Sequence, residues 1–164
     1  HEGLPLFPMA SHSACFSLYQ HPGNLKDRNF REIQESGGYV GIPATTHLLT
    51  QEGGGYLERF AKHLALAHKL TRYGTTIGIG SGCVHQDMTM DQARQRFRKM
   101  IETLEGQKLC GEYFPDRPEQ LILNGSRMFE FLTEELSLNF GEDEVRGFCG
   151  RNFKQFLLRA LPQT

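Results

Sequence analysis

The chain has 164 residues, 38% of them hydrophobic and 23% charged, with a formal net charge of -1. That composition is ordinary for a globular protein with one core, so a single domain over 1–164 is expected. Scattered basic residues give no footprint for nucleic acid, no apolar run approaches the roughly eighteen residues of a spanning helix, and no leader-like layout is present, so the chain is expected to be soluble as given, its compartment open.

Leu6 to Ala10 is a short apolar run that ends in Ser11-His12-Ser13, the look of a buried strand delivering a ligand or base to a site at its end. His21-Pro22-Gly23-Asn24 has turn chemistry. From Lys26 to Glu35, Phe30 and Ile33 sit at helical spacing, with Asp27 as N-cap and Gly37-Gly38 as the stop. Tyr39 to Thr45 is a second apolar run, rich in strand formers and buried on both faces, with Pro43 marking a strand end. After the flexible Gln51 to Gly55, Tyr56 to Tyr73 is the best helix, its apolar stripe running through Leu57, Phe60, Ala61, Leu64, Ala67, His68 and the nearby Leu70 to a stop at Gly74. Thr75 to Gly82 reads as a third strand, thick with glycine where backbone must approach something closely.

Further helices are expected over Asp91 to Leu104, Gly125 to Leu138 and Glu142 to Leu161, with a long polar loop at 106–118. Their inward positions would include Phe129, Leu132 and Leu136, then Val145, Phe148, Phe153, Phe156 and Leu157. Strand and helix in alternation is the grammar of parallel βαβ units, and no internal repeat is present. The four cysteines, Cys15, Cys83, Cys110 and Cys149, form no C-x-x-C pair, which argues against a zinc ribbon and for reduced thiols.

In βα folds the site lies where strands end. That rule selects His12, His47 and His85, with Asp87 beyond, and three imidazoles converging on one metal is one reading of the set. A hydrogen-bonded loop histidine is the commoner outcome and is preferred for His47 and His85. At His12 a metal ligand is preferred, because Ser11 and Ser13 flank it as partners. His63 and His68 are expected at the surface or edge of their helix. No G-x-S-x-G elbow surrounds the serines, and Gly78-x-Gly80-x-Gly82 reads as close strand packing rather than a phosphate cradle.

Ser11-His12-Ser13-Ala14, His21-Pro22-Gly23-Asn24-Leu25-x-Asp27, Gly37-Gly38-Tyr39-Val40-Gly41, Ile77-Gly78-Ile79-Gly80 and Gly150-Arg151-Asn152-Phe153, in that order, resemble the second half of the renal (membrane) dipeptidase family, zinc-dependent enzymes of the amidohydrolase type. The likeness covers nearly the whole chain. It implies the C-terminal part of a (β/α)8 TIM-type barrel, in the α/β class, with parallel strands alternating with helices and a helical C-terminus. It also implies a two-zinc site that cleaves dipeptides with a water-derived nucleophile. His12 matches a zinc-ligating histidine of that family. The family's other ligands, a His-x-Asp pair, a bridging glutamate and a further histidine, belong to the earlier half of the barrel, which these residues do not resemble.

Two positions depart from the pattern. Gly23 stands where the family has an arginine that helps hold the substrate, and Gly82, followed by Cys83 and Val84, stands where it has a proton-handling aspartate. Glycine supplies neither a guanidinium nor a carboxylate. His85 and Asp87 are the candidate catalytic stand-ins. The expectation is therefore a metal-dependent dipeptidase-family domain whose full activity requires the other half-barrel; the alternative is a non-catalytic relative that keeps the fold for binding or assembly. Three parallel strands leave two sheet edges bare, which calls for a second chain, a further segment or a homo-oligomer to complete the sheet.

Overall fold

The computed structural model describes residues 6–50, 55–81, 91, 92, 95, 99, 102 and 128–161. The sheet has three strands in the order β1 (Met9–Ala10), β2 (Tyr39–Pro43) and β3 (Ile77–Gly80), all parallel. Val40 faces Ile77 and Ile42 faces Ile79 across the β2–β3 pair, so these branched side chains share one face. Gly41 and Gly78 are likewise partners, and with Tyr39 and Gly80 they form the other face. Pro43 ends β2 as its missing N–H requires, and all five residues of that strand are buried.

The first strand is shorter and barer than its sequence suggests. The run Leu6 to Ala10 was expected to be buried, but Leu6 is 92% exposed and Met9 53% exposed, because β1 has a strand neighbour on one side only among the described residues. Apolar sequence gives a strand the capacity to be buried; a neighbour has to supply the burial.

Each parallel connection carries a helix. In α1 (Asp27–Glu35) Phe30 is fully buried and Ile33 packs against the core. Asp27 is the first helical residue rather than the N-cap: Lys26 takes that position in extended conformation, and the Asp27 carboxylate accepts the Ser17 hydroxyl at 2.8 Å. Its charge still lies in the first turn, where the helix dipole favours it. The second helix, α2 (Tyr56–Leu70), buries Tyr56, Phe60, Ala61, His63, Leu64, Ala67, His68 and Leu70. Full burial of a Phe or Leu stabilises by about 1.5–3 kcal/mol each, so this stripe anchors the layer. The two histidines contradict the surface expectation. His68 is held edge-on between Tyr73 and Phe148 at 5.1 and 4.9 Å, and His63 makes the contacts described below. Arg72 and Tyr73, both left-handed, turn the chain into Gly74.

The C-terminal region is three helical pieces where two were expected. α3 (Met128–Ser137) lays Met128, Leu132 and Leu136 into the core at four-residue spacing, while Phe129 turns outward at 40% exposure. α4 (Glu142–Arg146) runs into a π-helical turn, Gly147–Arg151, and then α5 (Asn152–Ala160). The break comes at Gly150, whose φ of 155° is non-helical. Phe153, expected inward, is 38% exposed. Arg151 spans the break, donating to the Asp143 carboxylate at 2.9 Å and to its carbonyl at 2.7 Å.

This piece closes the end of the sheet where strands begin. Asn152, buried, donates through Nδ2 to the Ile77 carbonyl at 2.8 Å. The Tyr39 ring packs on Phe153 and Phe156 at 5.0 and 5.7 Å, and its hydroxyl fills the space a side chain at position 78 would need. Burial pushes the Tyr39 phenol up to about 12. The expected helix Asp91 to Leu104 and the loop 106–118 fall largely or wholly outside the described residues.

Candidate functional site

The loops that leave β1 and β2 lie at the opposite end of the sheet. After Ala10 the chain crosses the glycine face: a Cβ at Gly41 or at Gly80 would run into the Ser11 carbonyl oxygen. Ser13 N–H then donates to the Gly41 carbonyl at 3.1 Å. The glycine-rich pattern thus has its cause, since a bare floor is what lets the segment bearing His12 pass this close. The His12 ring is exposed, and its Nδ1 lies 2.9 Å from the Ser11 hydroxyl. Nε2 is thereby the nitrogen left for a ligand outside the loop. Ser13 serves differently, donating to the Gly23 carbonyl at 3.0 Å.

From Ser13 the chain folds back on itself. Cys15 bridges Leu25 in parallel, with Phe16 N–H on the Leu25 carbonyl at 2.8 Å and Leu25 N–H on the Ala14 carbonyl at 2.9 Å. The Cys15 thiol is buried, and that burial, with the Asp27 charge adding to it, pushes the thiol up to about 12. It stays protonated and chemically quiet at neutral pH.

The turn at the tip brings histidines together. Gly23 N–H donates to Nδ1 of His21 at 3.0 Å, and the His21 ring lies 5.9 Å from that of Tyr19 and 5.9 Å from that of His47, the two imidazoles crossing at 68°. His47 lies in a 3-10 turn, Thr46–Leu48, just past β2. Burial, and next the proximity of His21, pushes its pKa down to about 4, so it is a neutral imidazole at pH 7. Gly23 itself faces this group: a Cβ there would sit 3.2 Å from both His21 Nδ1 and Leu48 Cδ2. Gly23, where the resemblance implies an arginine, is exposed.

Two buried side chains join the loops, and both lie outside the set of residues the sequence singled out for chemistry. Asn24 accepts Ala14 N–H at 3.1 Å through Oδ1 and donates through Nδ2 to the carbonyls of Tyr19 at 3.0 Å and Leu48 at 2.9 Å. His63, 2% exposed, does the same from the helix side. The signal for His63 was in the periodicity: it follows Phe60 by three and precedes Ala67 by four, on the apolar face of α2.

The structure brings His47 beside His21. Among the described residues no three His, Cys, Asp or Glu side chains come together as a metal-binding group, so the described residues alone do not make a zinc site. His12 offers one coordinating nitrogen; further ligands would come from elsewhere. Gly82, His85 and Asp87 lie outside the described residues, as do Cys83 and Cys110. Among the described residues no helix is long and apolar enough to cross a membrane.

A parallel sheet with helices in its crossovers and histidine-bearing loops beyond its strand ends is a βα-type scaffold. The chain belongs to the membrane dipeptidase family, peptidase family M19, whose pattern it matches over residues 5–163. Among solved structures it is similar to an amidohydrolase from Pseudomonas aeruginosa, with a TM-score of 0.63 at 20% identity, covering 93% of this chain and 45% of that one. It is also similar to a dipeptidase described as a metallopeptidase of family M19, with a TM-score of 0.59 at 20% identity, covering 93% of this chain and 36% of that one. The chain thus spans less than half the length of either. A comparison with curated proteins finds none that matches.

Proposed function

We propose that this chain is one domain, the C-terminal part of a (β/α)8 barrel, from a zinc-dependent dipeptidase, with His12 as the ligand it contributes. The observation that supports this reading best is the family match over residues 5–163; His12 itself lies in the loop leaving β1. The dipeptide substrate and the zinc are family expectations. Zinc would supply electrophilic activation at the scissile carbonyl. The described residues would contribute an exposed imidazole fixed by Ser11 and two half-buried imidazoles, His21 further along the same loop and His47 on the loop leaving β2. The remaining ligands would come from a further segment or a second chain lying along the bare edge of β1. His85 and Asp87 keep their proposed role as stand-ins for the proton-handling carboxylate.

The second reading is a non-catalytic relative that binds a small peptide or a partner, favoured by one observation: position 23 is a glycine, with no side chain to hold a substrate. Metal analysis separates the two. If the first holds, the intact protein, with the segment or chain that supplies the other ligands, retains the metal after equilibration with zinc and passage through a desalting column, and His12→Ala loses it. Equal zinc in both proteins would reject His12 as a ligand and favour the second reading. His85→Ala or Asp87→Ala should lower dipeptide hydrolysis at unchanged metal content; unchanged hydrolysis removes them from the site.

A further inference from the structure

His63 is a polar ring in the middle of the apolar stripe of α2, and its two nitrogens face opposite demands. Nδ1 lies 3.1 Å from the backbone N–H of Cys15, which can only donate. Nε2 lies 3.1 Å from the carbonyl of Leu49, which can only accept. One protonation state meets both: the neutral ring with its proton on Nε2. The Cys15 thiol completes the exchange by donating to the His63 carbonyl at 3.3 Å.

The partners identify what the ring holds. Cys15 is three residues beyond His12, on the loop leaving β1, and Leu49 is two beyond His47, on the loop leaving β2. We propose that His63 is a positioning residue for the His12 site, a neutral imidazole that fastens the His12 loop and the His47 loop to α2 and so sets how the two loops face each other. Asn24 ties the same two loops from the other side, through Ala14 N–H and the Leu48 carbonyl.

Other side chains fail for stated reasons. An aliphatic residue leaves the Cys15 N–H and the Leu49 carbonyl buried without partners, and lysine or arginine has no acceptor for the amide. Glutamine carries one acceptor and one donor group at its end and is the conservative replacement. Burial holds the His63 ring below the ordinary histidine range, Arg59 adding to this and the Leu49 carbonyl opposing it, so the neutral form prevails at pH 7.

The relevance to zinc rests on the dipeptidase reading; the clamp itself does not. In nitrogen-15 NMR of the full chain at pH 7, His63 should show a bare Nδ1 and a protonated Nε2. A ring protonated on Nδ1, or on both nitrogens, overturns the proposal. Amide exchange then tests the fastening. His63→Leu should speed exchange at Cys15 about tenfold relative to Val40 in β2, and His63→Gln should return it to near the parent value. Should the leucine variant not fold, the glutamine variant and the tautomer decide. Glutamine failing to protect Cys15 while Val40 stays protected, or leucine leaving Cys15 as slow as before, overturns the proposal. With zinc alone as probe, in the protein completed by the segment or chain that supplies the other ligands, His63→Leu should weaken binding about tenfold and His63→Gln restore it. Absence of zinc binding by that completed protein counts against the dipeptidase reading and leaves the exchange result to decide the clamp.

Discussion

β1 and β2 start from similar material, short apolar runs followed within a few residues by a histidine, and reach opposite states. β2 has a strand on each side, both faces covered, and every residue buried. Among the described residues β1 pairs only at Met9 with Tyr39 and at Ala10 with Val40, and it leaves Leu6 and Met9 largely in solvent. The histidine loops differ in the same sense. His47, past β2, is half-buried against His21, whereas His12, past β1, is exposed. The difference teaches that an inner strand brings its own surroundings, while an edge strand is defined by what lies beside it. Exposed apolar side chains along an unpaired strand are a surface for association.

The contrast can be tested by its extremes. Ile42→Ala, in the fully buried strand, should lower stability by about 2–5 kcal/mol, read as a shift in the urea midpoint at constant slope. A cost no larger than that of a β1 substitution would break the comparison.

A smaller effect follows from His47. Its pKa is pushed down from 6.5 to about 4, so the unfolded chain binds more protons than the folded one between those values. Stability is then fully present above about pH 6.5 and is lost as pH falls toward about 4, by roughly 1–2 kcal/mol for a partly exposed ring. Buried His63 and His68, also lowered, act in the same direction. Urea midpoints at pH 7.5 and 4.5 should differ less in His47→Gln than in the parent; equal differences would exclude His47 as a contributor.

The smallest effect should come from the bare edge. Met9→Lys is expected to change monomer stability by no more than about 0.5 kcal/mol. If β1 is where a second strand docks, the same substitution should lower self-association, measured by light scattering. A large loss of stability at unchanged association would mean that Met9 is a core residue and that the two strands are alike.

Much of this was legible in the sequence. The parallel alternation, the strand end at Pro43 and the buried stripe of α2 follow from periodicity and turn chemistry, because those features are local. The exposure of β1 was not, since it depends on a neighbour rather than on β1's own residues. The break at Gly150 was hidden by an apolar pattern that continues through it, and only the backbone shows the non-helical residue there. In the site, His12 and the turn at Gly23 could be singled out from flanking residues. The joining roles of Asn24 and His63 could not, because each depends on contacts with segments up to 48 residues away.

The bare glycine floor also bears on redesign. The course of the His12 segment depends on side chains that are missing at positions 41 and 80, where a single methyl group would strike the Ser11 carbonyl oxygen. A library meant to give these loops new chemistry should therefore hold both glycines fixed and spend its diversity at positions 21, 23 and 47, where neighbours are side chains that can repack.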